Sequence, residues 1–456
     1  MTAYNCIILL TIIFYMIMMV SIGIAVSGRN KTSNDFYLGG RKLSPLVTAM
    51  SAEASDMSGW LLMGLPAVAM MGGLAEASWT AIGLAIGTYL NWLFVAKRLR
   101  VYSHRLNAFT LPDFFTKRFG DKTKTLTTIA ALFIIVFFVP YTASGFAACG
   151  KLFGSLFGMD YHLAMVLSAV VIILYCTLGG FFAASTTDFI QSIIMTIALV
   201  VVVGFGEGLA GGFGNIFNNV QSLDGYLNLF EGYNVAAGET GSYGVLPVIS
   251  TLAWGLGYFG MPHILLRFMA IEDENKLKLS RRVASVWVVI SMSVAVLIGV
   301  VGYTLMQKGV LPAYADAPAA ETIIVDISKF LSKYGYVASL AAGIILAGLY
   351  HVYRRFPAVG GGVKRFAESF ARNLRHQNVG KGVYVGSSYF GCSYIVYSNL
   401  FGVESQQLGI PYSVVCMGGL RRRVRSCNAV RPFLEAYHKA GRYRRYDFRR
   451  CGSIHL

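Results

Sequence analysis

Apolar runs of about 20 residues, long enough to cross some 30 Å of hydrocarbon as helices, recur along this chain between short stretches of Gly, Ser and basic residues. One covers residues 6–26, and another opens at 127 and carries on past Pro140. About nine such runs precede Tyr350, and they predict an all-α polytopic membrane protein. The first run has neither the basic start nor the small-residue cleavage site of a signal peptide, so it reads as a retained helix. Residues 1–349 then form one transmembrane domain, its ninth helix incomplete.

Composition agrees: 55% of the 456 residues are apolar and 13% are charged, so lipid is the solvent for most of the chain. The loops give an orientation, because Lys and Arg are retained on the cytoplasmic side. Arg29, Lys31, Arg41 and Lys42 follow the first span, eight Lys and Arg between 97 and 124 follow the third, and residues 276–282 follow the seventh. The segment 210–245 holds no Lys or Arg, only Asp224, Glu231 and Glu239. An extracytoplasmic N-terminus satisfies all of these loops. The seven cysteines form no CxxC, and the seven histidines are scattered; Cys149 and Cys176 read as small apolar residues.

The formal charge of +17 is unevenly placed. Residues 350–456 carry 18 Lys and Arg against four acids, a balance of +14, and no helical period survives there. The change falls inside an apolar run, after residues 337–349 have covered only half a bilayer, and a helix abandoned there strands backbone groups in hydrocarbon. One reading is a basic tail for nucleic acid or anionic lipid. The other is out-of-frame translation. With suitable codons, a one-base shift over residues 348–365 gives AFIMSTADSQLLVAASSV, and the same shift over 417–440 gives WAGFGAAFGPATPFALFWKRITKR. Both strings have membrane-protein character, and the chain reads as frameshifted after about residue 349, with no nucleic-acid partner.

Chemistry concentrates in two places. In residues 51–60, Glu53 and Asp56 sit inside an apolar span among Ser51, Ala54, Ser55, Ser58 and Gly59; ionisable groups there are costly and face a partner or a watery path. Small neighbours let the helix unwind and free carbonyl oxygens for a hard cation; the plainer reading is a small-residue packing face. In residues 254–262, three glycines and Pro262 predict a broken helix. Trp254 and Tyr258, four apart, would share its face and wall a small solute, or else belong to an interfacial belt. Tyr141 places a phenol in mid-span beside Pro140, and Asp188 stands at the start of the sixth helix, where capping its N-terminus is the simplest role. No GxSxG, Walker or HExxH pattern occurs, so no enzymatic chemistry is expected.

The segment 51–66, SAEASDMSGWLLMGLP, resembles the second-helix signature of the bacterial sodium/proline symporters in the sodium/solute symporter family. FYLGGRKLSP from 36, TLPDFFTKRFGDK from 110, VPYTASG from 139, GGFFAASTTDFIQ from 179 and WGLGYFGMPHILLRFMA from 254 extend the likeness over nearly all residues up to Leu349. The resemblance implies thirteen helices, with helices 2–6 and 7–11 as two inverted five-helix repeats, here truncated in the second. It implies sodium held by main-chain oxygens of Ala54 and Met57 with Asp56 beside them. It implies L-proline contacting Ser58, Gly59, Trp60, Tyr141, Trp254 and Tyr258, with Pro262 shaping the bend, and coupling roles for Arg41 and Asp188. Further sodium ligands are expected from hydroxyls on the ninth helix, where this chain reads IILAGLY at 344–350 and the shifted frame restores MST. The implied activity is sodium-coupled uptake of proline across the inner membrane, with sodium as co-transported ion and no organic cofactor; the runner-up is another small solute, such as a sugar, carboxylate or vitamin.

Overall fold

The computed structural model describes residues 3–28, 31–56 and 60–353. In chain order the helices are α1 (Ala3–Ser27), α2 (Ser33–Leu38), α3 (Pro45–Asp56), α4 (Leu65–Gly72), α5 (Leu74–Asn91), α6 (Lys97–Arg105), α7 (Leu111–Phe119), α8 (Thr125–Phe157), α9 (Tyr161–Ala210) and α10 (Phe213–Gln221). A hairpin of β1 (Glu231–Asn234) and β2 (Glu239–Ser242) precedes α11 (Val245–Leu252), α12 (Pro262–Ala270), α13 (Leu277–Gln307), α14 (Ala317–Ala320), α15 (Ile323–Ser332) and α16 (Tyr336–Tyr353).

Among the described residues, five helical stretches are long and apolar enough to cross a membrane unaided, and Val245–Gly260 with Pro262–Ala270 makes a sixth span bent by 48°. Three shorter apolar helices, Trp60–Gly72, Tyr161–Ile172 and Tyr336–Leu349, fall where the sequence places its second, fifth and ninth spans. Large apolar side chains such as Phe14, Val136, Phe137 and Val200 point outward, a surface suited to lipid and costly in water. The expected turn between the fifth and sixth spans is a single residue inside α9, Gly180, at φ 61° and ψ −160°. A side chain there would be strained, and glycine is not.

α13 runs through the middle, packed on α3, α4, α5 and α9. Gly299 lets it approach α4 so closely that a Cβ would lie 2.3 Å from the Pro66 carbonyl oxygen. A second close crossing joins α5 to the segment after α11, where a Cβ on Gly87 would lie 2.3 Å from the Gly255 carbonyl oxygen. Small residues at such crossings let backbones meet where no hydrophobic force separates helix from lipid. The hairpin is pinned to the α4–α5 junction: the Tyr226 hydroxyl donates to the Ala69 carbonyl at 2.8 Å, and Val235 N–H donates to the Met71 carbonyl.

Arg41 lies in a short 3₁₀ turn, Gly39–Arg41, between α2 and α3. It is buried, and its hydrogen-bond partners among the described residues are one hydroxyl and three carbonyls. Nη1 donates to Ser103 Oγ and to the Met269 carbonyl, and Nη2 donates to the carbonyls of Ser103 and Ala108. Burial, then the nearby Arg100, push its pKa down to about 10. Arg100 donates to the Ile271 carbonyl, while Leu43 and Ile271 pair as a parallel bridge. The ends of α6 and α12 and the start of α3 are thereby tied together on the basic-loop side.

Candidate functional site

The residues on either side of 57–59 and the break before Pro262 come together. α3 ends at Asp56, and the chain is described again from a π-helical turn, Trp60–Gly64, that leads into α4. Single π turns inside helices occur frequently at functional sites. Met57, Ser58 and Gly59 lie outside the described residues. Opposite, α11 gives way to a 3₁₀ segment, Ala253–Gly260, and the helix is interrupted at Met261, whose φ −72° and ψ 108° are extended. Pro262 then opens α12 as its first residue, where its missing N–H removes nothing from the helix.

Between these breaks Ala54, Asp56 and Glu53 are all buried. Glu53 Oε1 accepts from Trp92 Nε1 at 2.9 Å. Asp56 Oδ1 lies 3.9 Å from His263 Nε2, and the Tyr258 hydroxyl is hydrogen-bonded to Asp56. Tyr258 is itself held through its carbonyl, which accepts from Asn91 Nδ2 at 2.9 Å. Trp60 and Trp254 meet edge to face, their centroids 4.7 Å apart. From α8, Tyr141 stacks on His263 at 6.1 Å and 15°, with Phe138 at the imidazole edge. Pro140 sits inside α8 without ending it. Asp56, Trp60, Tyr141, Trp254, Tyr258 and Pro262 are thus brought together; Arg41 is not among them.

Two expectations need correction. Regular α-helical spacing would put Trp254 and Tyr258 on one face, but a 3₁₀ segment turns about 120° per residue, so residues four apart diverge by a third of a turn. Trp254 faces Trp60 while Tyr258 faces Asp56. Asp188 does not cap a helix start either: it lies about two turns beyond Gly180, inside α9. Its Oδ2 accepts from Arg267 Nη2 at 2.6 Å and from Ser51 Oγ at 2.8 Å, and Ser51 Oγ in turn accepts from Arg267 Nε at 2.6 Å. Arg267 Nη1 donates to the His263 carbonyl. This buried cluster joins α3, α9 and α12 between the site and the basic-loop side.

Sequence reasoning gives no role to Asn91, Trp92, His263 or Arg267, and treats Ser51 only as a small neighbour of the two acids. The signal available for Arg267 is a cation inside an apolar helix, which demands a partner. Chemically, the site offers a buried carboxylate that faces the helix break before Pro262, next to the aromatic rings of Trp60, Tyr141 and Trp254.

Helices broken at mid-span around buried ionisable groups mark a polytopic secondary transporter. The structure superposes on that of a Na+-coupled sialic acid symporter, solved substrate-bound and outward-open, with a TM-score of 0.71 at 16% identity, covering 88% of this chain and 82% of the other. The expected all-α inverted-repeat fold is borne out. Residues 36–350 match the family profile described as sodium:solute symporter family, and the chain belongs to that family. The sodium/proline symporter of Escherichia coli K12 is 40% identical over 344 residues, 75% of this chain and 66% of that protein. The high-affinity proline transporter PutP of Bacillus subtilis 168 is 44% identical over 332 residues, 72% of this chain and 67% of that protein. The matched region spans about two thirds of the length of these relatives.

Proposed function

We propose that residues 1–349 carry the proline compartment and part of the sodium site of a sodium-coupled L-proline symporter of the bacterial inner membrane. The observation that carries this is Asp56, buried at the end of α3 and faced by Tyr258 and His263 across the break in the seventh span. The names of the relatives supply the solute. Sodium is assigned to main-chain oxygens of Ala54 and Met57 beside the Asp56 carboxylate; proline is assigned to the space walled by Ser58, Gly59, Trp60, Tyr141, Trp254 and Tyr258. Transport involves no covalent step. It proceeds by alternating exposure of the site, with the Ser51–Asp188–Arg267 cluster closing the path on the basic-loop side. Arg41 serves coupling by holding the ends of α6 and α12 to the start of α3. The family match ends at residue 350, where the charge balance changes, and this supports an out-of-frame origin for residues 350–456.

In a frame-restored chain, Asp56→Ala is expected to abolish sodium-driven proline accumulation in vesicles, because nothing then offsets the cation. Trp254→Ala and Tyr258→Ala should instead weaken apparent proline affinity. Sodium dependence left intact in Asp56→Ala would refute the sodium assignment.

The basic-loop side is read as cytoplasmic, which puts the N-terminus and the β hairpin outside. Impermeant thiol reagents should label single cysteines placed in 211–243 from the extracellular side and those in 106–122 only after the membrane is opened. Labelling of both loops from one side overturns the topology.

A further inference from the structure

We propose that His263 is a positioning residue of this site, setting the plane of the Tyr141 ring from across the compartment; the inference rests on the proline reading above and deepens it. His263 follows Pro262 directly, so the start of α12 places its side chain at the helix break. The residue is 1% exposed, and its backbone is fixed by the Arg267 bond to its carbonyl at 2.5 Å. One imidazole from α12 therefore faces both α8 and α3. Its face lies nearly parallel to Tyr141 on α8, its edge meets Phe138 one turn earlier on that helix at 5.7 Å, and Nε2 faces Asp56 at the end of α3.

This geometry has a consequence for the phenol. Tyr141 is half-buried and meets Phe138 of its own helix edge to face at 5.6 Å, which steadies one edge of the phenol. The imidazole, whose plane lies 15° from that of the phenol, adds a partner from another helix that bears on the tilt of the ring. Aromatic pairs in this distance range contribute on the order of 2- to 10-fold to an equilibrium constant. Because α12 begins at the break in the seventh span, any shift of that half-helix would carry the imidazole with it and turn the Tyr141 ring.

The test is equilibrium binding of radiolabelled L-proline to the full 456-residue chain in nanodiscs, in sodium chloride, with the thermal unfolding midpoint measured for every variant. His263→Phe, which keeps a flat ring, should leave the dissociation constant within about threefold, whereas His263→Leu, which keeps volume without a ring face, should raise it about tenfold. In a Tyr141→Ala background, His263→Leu should change it by less than about twofold, since interacting residues are non-additive. Equal effects of Phe and Leu, or additive effects with Tyr141→Ala, overturn the role of His263 while leaving the proline site standing. If the unsubstituted chain shows no saturable proline binding, the site assignment falls and this inference falls with it.

Discussion

Replacing Arg267 by methionine is expected to destabilise the chain by about 3–5 kcal/mol, the cost typical of leaving one member of a buried ion pair without the other. Arg267 and Asp188 are both buried and meet at 2.6 Å. Ser51 cannot replace the lost cation, since its hydroxyl already donates to the same carboxylate oxygen. Phe181, whose ring lies 5.5 Å from the guanidinium, would also lose a cation–π partner. The double variant Asp188→Asn with Arg267→Met should recover much of the loss, because no uncompensated charge remains. Denaturant or thermal unfolding of the purified protein in detergent measures both. A single variant within about 0.5 kcal/mol of the parent, the range of ordinary surface substitutions, would show that the cluster does not hold α3, α9 and α12 together.

The same cluster shows where sequence reasoning reaches its limit. Spans are legible because lipid demands long apolar runs, and the break before Pro262 is legible because three glycines and a proline cannot sustain a helix. Pairing between Asp188 and Arg267 is not, since the two are 79 positions apart and periodicity compares only residues on one helix. The capping role expected of Asp188 fails for a related reason. The bend that separates the fifth and sixth spans is one glycine in an apolar run, with no polar loop to mark it, so the sequence pattern puts the helix start too late. Likewise the 3₁₀ form of residues 253–260, which parts Trp254 from Tyr258, accompanies the close crossing of Gly255 on Gly83 and Gly87. Arg41 is held almost entirely by backbone carbonyls, and such acceptors leave no mark in a sequence. By contrast, composition alone marks the segment 51–60 as a place where buried acids meet small residues, and Glu53 and Asp56 are indeed buried there.

On the proposed function, transport by the unaltered chain depends on the residues beyond Leu349. α16 ends in His351, Val352 and Tyr353, where the shifted frame restores MST and the family resemblance puts hydroxyl ligands for sodium; one turn earlier the Gly348 carbonyl accepts from Gln191 Nε2 at 2.9 Å. On the frameshift reading the second repeat keeps its first two helices and part of the third, so the first repeat has no full counterpart to rock against. A proline compartment can form without that counterpart, because its assigned contacts all precede residue 263. Sodium-coupled movement cannot. The decisive measurement is radiolabelled proline uptake into proteoliposomes under an inward sodium gradient, comparing the 456-residue protein with a version whose reading frame is restored by one base. The expected result is no uptake above empty vesicles for the first and sodium-dependent accumulation for the second. Robust sodium-driven uptake by the uncorrected protein, or none by the restored one, would contradict the proposed mechanism.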